Sequence, residues 1–115
     1  MDREKPDAIL MVTDSLTVLN RRRVFDYAAA NRLPAIYEFD WIVRDGGLMS
    51  YGPDLEETFS RVAALVDRIL NGASPASLPF ERPTRFKFVI NLKTVKALDL
   101  EVPPVLLASA DDVIE

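Results

Sequence analysis

The five residues Ala8-Ile9-Leu10-Met11-Val12 are apolar at every position and stop abruptly at Thr13-Asp14-Ser15. A strand with one wet face alternates apolar and polar residues; a strand buried on both faces does not. The run therefore predicts a short, central strand of a parallel sheet that ends in a polar turn. Parallel strands require crossovers, usually helical, and those helices cover the faces of the sheet.

The segments that follow fit this demand. From about Val18 to Arg32, Val24, Phe25, Ala28 and Ala29 recur at helical spacing, with Thr17 as a candidate N-cap. Leu33-Pro34-Ala35-Ile36-Tyr37 predicts a second strand with proline at its first turn of chain. Glu38 to Asp45 is a polar connection carrying Trp41, and Gly46-Gly47 separates it from a third strand over Leu48 to Tyr51. Gly52-Pro53 ends that strand. Asp54 and Glu57 form a D-x-x-E capping pattern, Leu55, Phe59, Val62, Val66, Ile69 and Leu70 make one apolar stripe, and Gly72 closes it, so a helix is predicted over Asp54 to Asn71. Residues 73–84 are a proline-rich connector. Arg85 to Asn91 alternates as a fourth strand, Leu92 to Leu98 is a short helix, and Pro103-Pro104 leads to a last apolar turn and an acidic end.

Strands interleaved with helices in this way predict an α/β fold of three layers around a mainly parallel sheet, folded as a single domain over residues 1–115. Ligands of such sheets bind beyond the carboxyl ends of the strands, which selects the loops Thr13 to Thr17, Tyr37 to Trp41 and Tyr51 to Asp54.

Composition narrows the chemistry. Fourteen basic and 18 acidic residues give a net charge of −4, which lacks the positive footprint of a nucleic-acid binder. There is neither histidine nor cysteine, so the usual neutral-pH base, the commonest metal ligand and the thiol nucleophile are all missing. No catalytic residue, metal site or cofactor is expected. No apolar run approaches the roughly 20 residues of a membrane span, so direct membrane insertion is not expected either. Met1-Asp2-Arg3-Glu4-Lys5-Pro6 has no signal-peptide character, and the expectation is a cytoplasmic chain if Met1 is its true start.

Several patterns invite sharper readings and fall short of them. Gly46 to Gly52 lacks the lysine and hydroxyl residue of a phosphate loop, and Met49-Ser50-Tyr51-Gly52 has half of a nucleophile elbow with no histidine to activate Ser50. Asp14 at a strand end suits a phosphoacceptor, but the acidic pair that such a domain needs is absent; a turn or a ligand contact is the plainer role. Arg21-Arg22-Arg23 reads as a solvated helix face, and Asp111, Asp112 and Glu115 as a frayed acidic terminus. Tyr37, Trp41 and Tyr51 can either stack on a planar solute or simply close the sheet.

Leu33 to Tyr37, Gly46-Gly47-Leu48-Met49-Ser50-Tyr51-Gly52-Pro53-Asp54, Ile69 to Ala73, Pro75 to Pro79 and Phe88-Val89-Ile90-Asn91-Leu92-Lys93-Thr94, taken in order, resemble one family. It is the family of ABC-transporter substrate-binding proteins related to tryptophan- and tyrosine-uptake lipoproteins, and the resemblance runs from about Pro6 to Glu115. It implies a flavodoxin-like C-terminal lobe of a type I periplasmic binding protein, incomplete because two preceding βα units and the N-terminal lobe are missing.

The resemblance further implies non-catalytic capture of a small solute, commonly an aromatic amino acid, by a longer extracytoplasmic parent that serves an ABC permease. Thr13-Asp14-Ser15 matches the family's polar strand-end loop, often T-D-N, and Tyr51-Gly52 with Asp54 matches its Y-G-x-D loop. Asp14, Ser15, Tyr51 and Asp54 are thus expected to face the solute, with Thr17 and Tyr37 completing the set. A carboxylate there can pair with an α-amino group. The chain departs from the family at Ser15, where asparagine is common, and at Asp99, where glycine usually ends the helix. Without its preceding neighbour the Ala8–Val12 strand has an unpaired edge, so a homodimer is expected. The competing expectation is an intracellular regulatory or interaction module of flavodoxin-like fold.

Overall fold

The computed structural model describes residues 4–115; the expectation about the opening residues rests partly on residues 1–3, which lie outside the described part. Its element order is β1 (Ile9–Met11), α1 (Ser15–Leu19), α2 (Arg21–Asn31), β2 (Ala35–Tyr37), α3 (Asp40–Arg44), β3 (Met49–Pro53), α4 (Leu55–Leu70), β4 (Phe86–Asn91), α5 (Leu92–Ala97), α6 (Pro104–Ala108) and β5 (Asp112–Ile114), with one 3-10 turn at Pro75–Ser77 in the connector. Five strands form one sheet in chain order, β1-β2-β3-β4-β5. The pairs β1–β2, β2–β3 and β4–β5 are parallel. The Asn91 N–H donates to the Leu48 carbonyl, so the end of β4 lies beside the start of β3 and that neighbouring pair runs antiparallel. The sheet is mostly parallel, as the unbroken apolar run demands.

The chain divides into two compact units, one running to Gly52 and resuming at Lys87, the other spanning Pro53–Phe86. In the first, Ile9 and Met11 of β1, Ala35 and Tyr37 of β2, Ala28, Leu33 and Ile42 make a buried cluster, against which Val24, Phe25, Tyr27 and Trp41 pack. Leu48, Ile90, Val95 and Leu98 make a second, flanked by residues of α6 and β4. Asn91 is the polar hinge-pin of this unit: its amide Nδ2 donates to the Val43 carbonyl at 3.1 Å, while its Oδ1 caps α5 by accepting from the amides of Lys93 and Thr94.

In the second unit Asp54 caps α4 as its sequence predicts, its Oδ1 accepting from the amides of Glu56 and Glu57. Glu57 does not complete the capping box. Its carboxylate instead accepts from the Thr84 hydroxyl and the Arg85 amide, which ties the connector to the first turn of the helix. No residue of α4 is buried, and Phe59 of its apolar stripe is 68% exposed.

Three further expectations need correction. The helix predicted from Val18 is two helices broken at Asn20, and the N-cap is Asp14, with Thr17 at the third helical position returning its hydroxyl to the Asp14 amide. The polar connection at Trp41 contains α3. The acidic end is not frayed: Asp111 accepts from the Phe88 amide at 2.7 Å, Asp112 pairs with Arg44 at 2.6 Å, and the segment forms β5. β1 lies at an edge of the sheet, as expected of the strand without its preceding neighbour, and Leu10 is 74% exposed. At Asp99 the chain takes φ +55, the left-handed conformation that a glycine would hold with less strain.

Candidate functional site

Parallel strands β1 and β2 both point their carboxyl ends toward Thr13 and Glu38, and β3 joins them at Tyr51. At the end of β1 the chain turns at once into α1. Asp14 sits in extended conformation, its Oδ1 accepts the Thr17 amide at 2.9 Å, and the Thr17 hydroxyl donates to the Val12 carbonyl at 2.9 Å. These bonds fix the loop while leaving Asp14 and Ser15 exposed to solvent. The Asp14 carboxylate is thus both a cap and an exposed charged acceptor, a kind of group that bonds a cation or an ammonium strongly.

The end of β2 is shaped by close approach. Glu38 Oε2 accepts the Thr13 amide at 3.3 Å, which links the ends of β1 and β2. The Glu38 carbonyl lies so close over Gly52 that a Cβ there would stand 1.9 Å from its oxygen. Glycine at position 52 is therefore a steric requirement of the loop crossing. Tyr51, the residue before it, is 57% exposed at the carboxyl end of β3.

The expected site residues are distributed unevenly. Asp14, Ser15 and Thr17 come together on the first turn of α1. Tyr51 lies two strand spacings away, roughly 10 Å, because β2 intervenes. Tyr37 is 2% exposed, its ring meeting Phe25 edge-on at 5.5 Å, and burial pushes its hydroxyl pKa up to about 12. Asp54, in the other unit, is buried at the start of α4 with Arg85 3.5 Å from its Oδ2. Trp41 lies under Arg21, whose guanidinium is 5.7 Å from the ring and bonded to Asp45, so this part of the arginine triplet is tethered rather than solvated. Sequence reasoning passed over Glu38, whose only signal was an acid directly after a strand-ending aromatic. Ser50, which it weighed only as half of a nucleophile elbow, is fully buried with a hydroxyl that finds no partner among the described residues. Among those residues no cluster of acids is arranged to hold a metal ion, and no helix is long and apolar enough to cross a membrane.

Residues 2–114 match the family of ABC transporter substrate binding proteins. The chain belongs to that family. A tyrosine-binding protein of Clostridioides difficile is 30% identical over 97 residues, 84% of this chain and 28% of that protein. Among solved structures, the ABC domain from Streptococcus pneumonia in complex with L-Trp is similar with a TM-score of 0.85 and 27% identity, covering 96% of this chain and 37% of that one. A conserved domain protein from Vibrio cholerae has the same TM-score at 24% identity, over 93% of this chain and 36% of its own, and so speaks for the fold alone. The fold of this substrate-binding-family chain is that of a periplasmic-binding-protein lobe. It spans between 28% and 37% of the length of these relatives.

Proposed function

We propose that this chain forms one wall of a non-catalytic solute site, which captures an aromatic amino acid for an ABC importer. The observation that carries the proposal is the likeness, over 96% of the chain, to a domain that holds L-Trp. The tyrosine-binding relative points to the same solute class. Asp14, Ser15, Thr17 and Tyr51 are the proposed solute-facing groups: the carboxylate for the ammonium, the hydroxyls for polar contact, the exposed ring for stacking. Tyr37, inside the core, and Asp54, at the head of α4, are proposed to shape the loops that carry them. The longer parent would work outside the cytoplasm with its permease. The absence of histidine and cysteine from the sequence agrees with a site that binds and releases without chemistry. In this chain by itself, a homodimer is proposed to cover the free edge of β1.

Isothermal titration calorimetry with L-tyrosine and L-tryptophan tests the solute assignment, on this chain and on a parent with both walls. Binding to the parent that weakens strongly in Asp14→Ala and Tyr51→Ala is the expected result. Binding untouched by either substitution would remove these loops from the site, and no binding of either amino acid would remove the solute class.

A further inference from the structure

We propose a second ligand site on this chain: an apolar slot between α2 and α5, lined by the buried phenol of Tyr37, that takes a neutral molecule of one aromatic ring carrying one hydrogen-bond acceptor. The slot lies on a helical face of the sheet beside the starts of β2 and β3, whereas the proposed solute groups lie toward the carboxyl ends of β1 and β3. It goes beyond the solute reading and does not rest on it.

The space arises from small residues on two helices. Ala28 and Ala29 of α2 line one wall, Ala97 of α5 lines the other, and the buried Ala35 and Leu48 form the floor. Longer side chains would interdigitate across such a gap; these alanines leave a void of about 210 Å³. The chain itself ties the two walls together. The Arg32 guanidinium at the end of α2 is 3.4 Å from Asp99 just past α5, and the Thr94 hydroxyl of α5 donates to the Gly46 carbonyl at 3.1 Å. Every lining residue falls between Phe25 and Leu98, within one compact unit and outside β1. Floor and both walls thus come from elements on the page.

Tyr37 is the observation that points to a ligand. It is in register with Ser50, yet its ring lies against Gly47, three residues earlier, where a Cβ would stand 2.8 Å from its Cε2. The ring therefore leans back toward the start of β3, where it lines the slot. It is 2% exposed, its hydroxyl makes no hydrogen bond among the described residues, and burial is the sole influence on its raised pKa. A buried donor without a partner is costly, and a ligand atom that accepts from it removes that cost. Volume and lining then choose the occupant. A dry apolar cavity of about 150 Å³ binds benzene, and the further 60 Å³ or so here holds roughly two more heavy atoms, since one water occupies about 30 Å³. The one charged lining residue, Asp26, is exposed at the mouth and opposes an anion, while desolvation by the apolar walls opposes a cation.

Benzyl alcohol is the probe, and toluene is its counterpart without the acceptor. Titrated into the isotopically labelled full chain and followed by NMR, benzyl alcohol should shift the amides of Ala28, Ala29, Thr94 and Ala97 saturably, with one-to-one stoichiometry. Tyr37→Phe should weaken benzyl alcohol roughly five-fold, the worth of one net hydrogen bond, and leave toluene as tight or tighter. A merely structural role for Tyr37 would move both probes alike. Ala28→Leu should fill the slot and remove binding of both, with Tm unchanged or raised. Ala97→Phe, at the exposed rim, makes the same test should Ala28→Leu not fold. Absence of shifts up to the solubility limit of the probe, shifts that survive the filling variants, or an equal effect of Tyr37→Phe on the two probes would each overturn the inference. None of these readouts uses L-tyrosine or L-tryptophan, so failure here and failure of the solute assignment are distinguishable.

Discussion

Gly52→Ala isolates the close crossing that shapes the strand-end site. The backbone at Gly52 is not in the left-handed region, where only Gly46 and Gly72 among the glycines lie, so alanine meets no conformational objection there. The objection is contact: the new methyl would stand 1.9 Å from the Glu38 carbonyl oxygen and 2.9 Å from its carbon, and both partners are backbone. Relief requires the β2 exit or β3 itself to move by more than 1 Å, at the point where Glu38 also holds the Thr13 amide. Forced overpacking costs about 1–3 kcal/mol. Alanine also restricts the unfolded chain, which offsets roughly 0.4–1 kcal/mol of this. A net loss of about 1.3 kcal/mol should lower Tm by roughly 5 °C in a chain of this size. Calorimetric or dichroism-monitored melting measures it, with Gly72→Ala as the contrasting variant, since a Cβ there meets nothing within 4 Å and pays only for its φ of +100. An unchanged Tm for Gly52→Ala would refute the steric account and with it the claim that the Glu38 crossing is rigid.

Three further outcomes follow from the interior. Tyr37 ionises in the unfolded chain near pH 10 but only near 12 when folded, so the folded state holds its proton longer and stability falls as pH rises from about 10 to 12; Tyr37→Phe should remove roughly 2 kcal/mol of that alkaline loss in melts taken across this window. Ser50→Ala should be neutral or stabilising by up to about 1 kcal/mol in denaturant titration, because the buried hydroxyl it removes has no partner among the described residues; a clear destabilisation would show that the hydroxyl is bonded. Asn91→Asp should destabilise by about 2 kcal/mol or more, since it keeps the α5 cap but replaces the donor facing the Val43 carbonyl with a buried charge; stability matching the parent chain at neutral pH would argue against that bond.

What the sequence made legible was local. Asp54, the apolar stripe and Gly72 mark α4 within one residue at each end, because cap, periodicity and stop all lie within 20 positions of one another. The elements it hid are held by distant partners. One turn of α3 is anchored by Arg44 to Asp112, 68 positions away, and β5 starts where the Asp111 carboxylate takes the Phe88 amide. Nothing within a window of sequence announces such bonds. At the site, the polar loop after β1 was readable as a turn or ligand contact at Asp14, while the cap expected at Thr17 is made by Asp14 itself. Glu38 was not, since its role arises only when β1 and β2 align.

The two strongest apolar signals in the sequence, the run at β1 and the stripe of α4, predicted burial, yet the structure buries only Ile9 and Met11 of the first, leaving Leu10 and Val12 exposed, and no residue of the second. Apolar periodicity records what a surface is suited to contact, not whether the contact lies within the same chain. The two surfaces make opposite forecasts for self-association. An edge-paired dimer needs the Leu10 amide and is indifferent to charge on α4, so Val62→Lys, at a half-exposed stripe position, should leave the dimer Kd unchanged within experimental error while Leu10→Pro abolishes it. If sedimentation showed the reverse, the helix stripe would be the self-association surface, and the edge of β1 would be left for a partner other than a second copy.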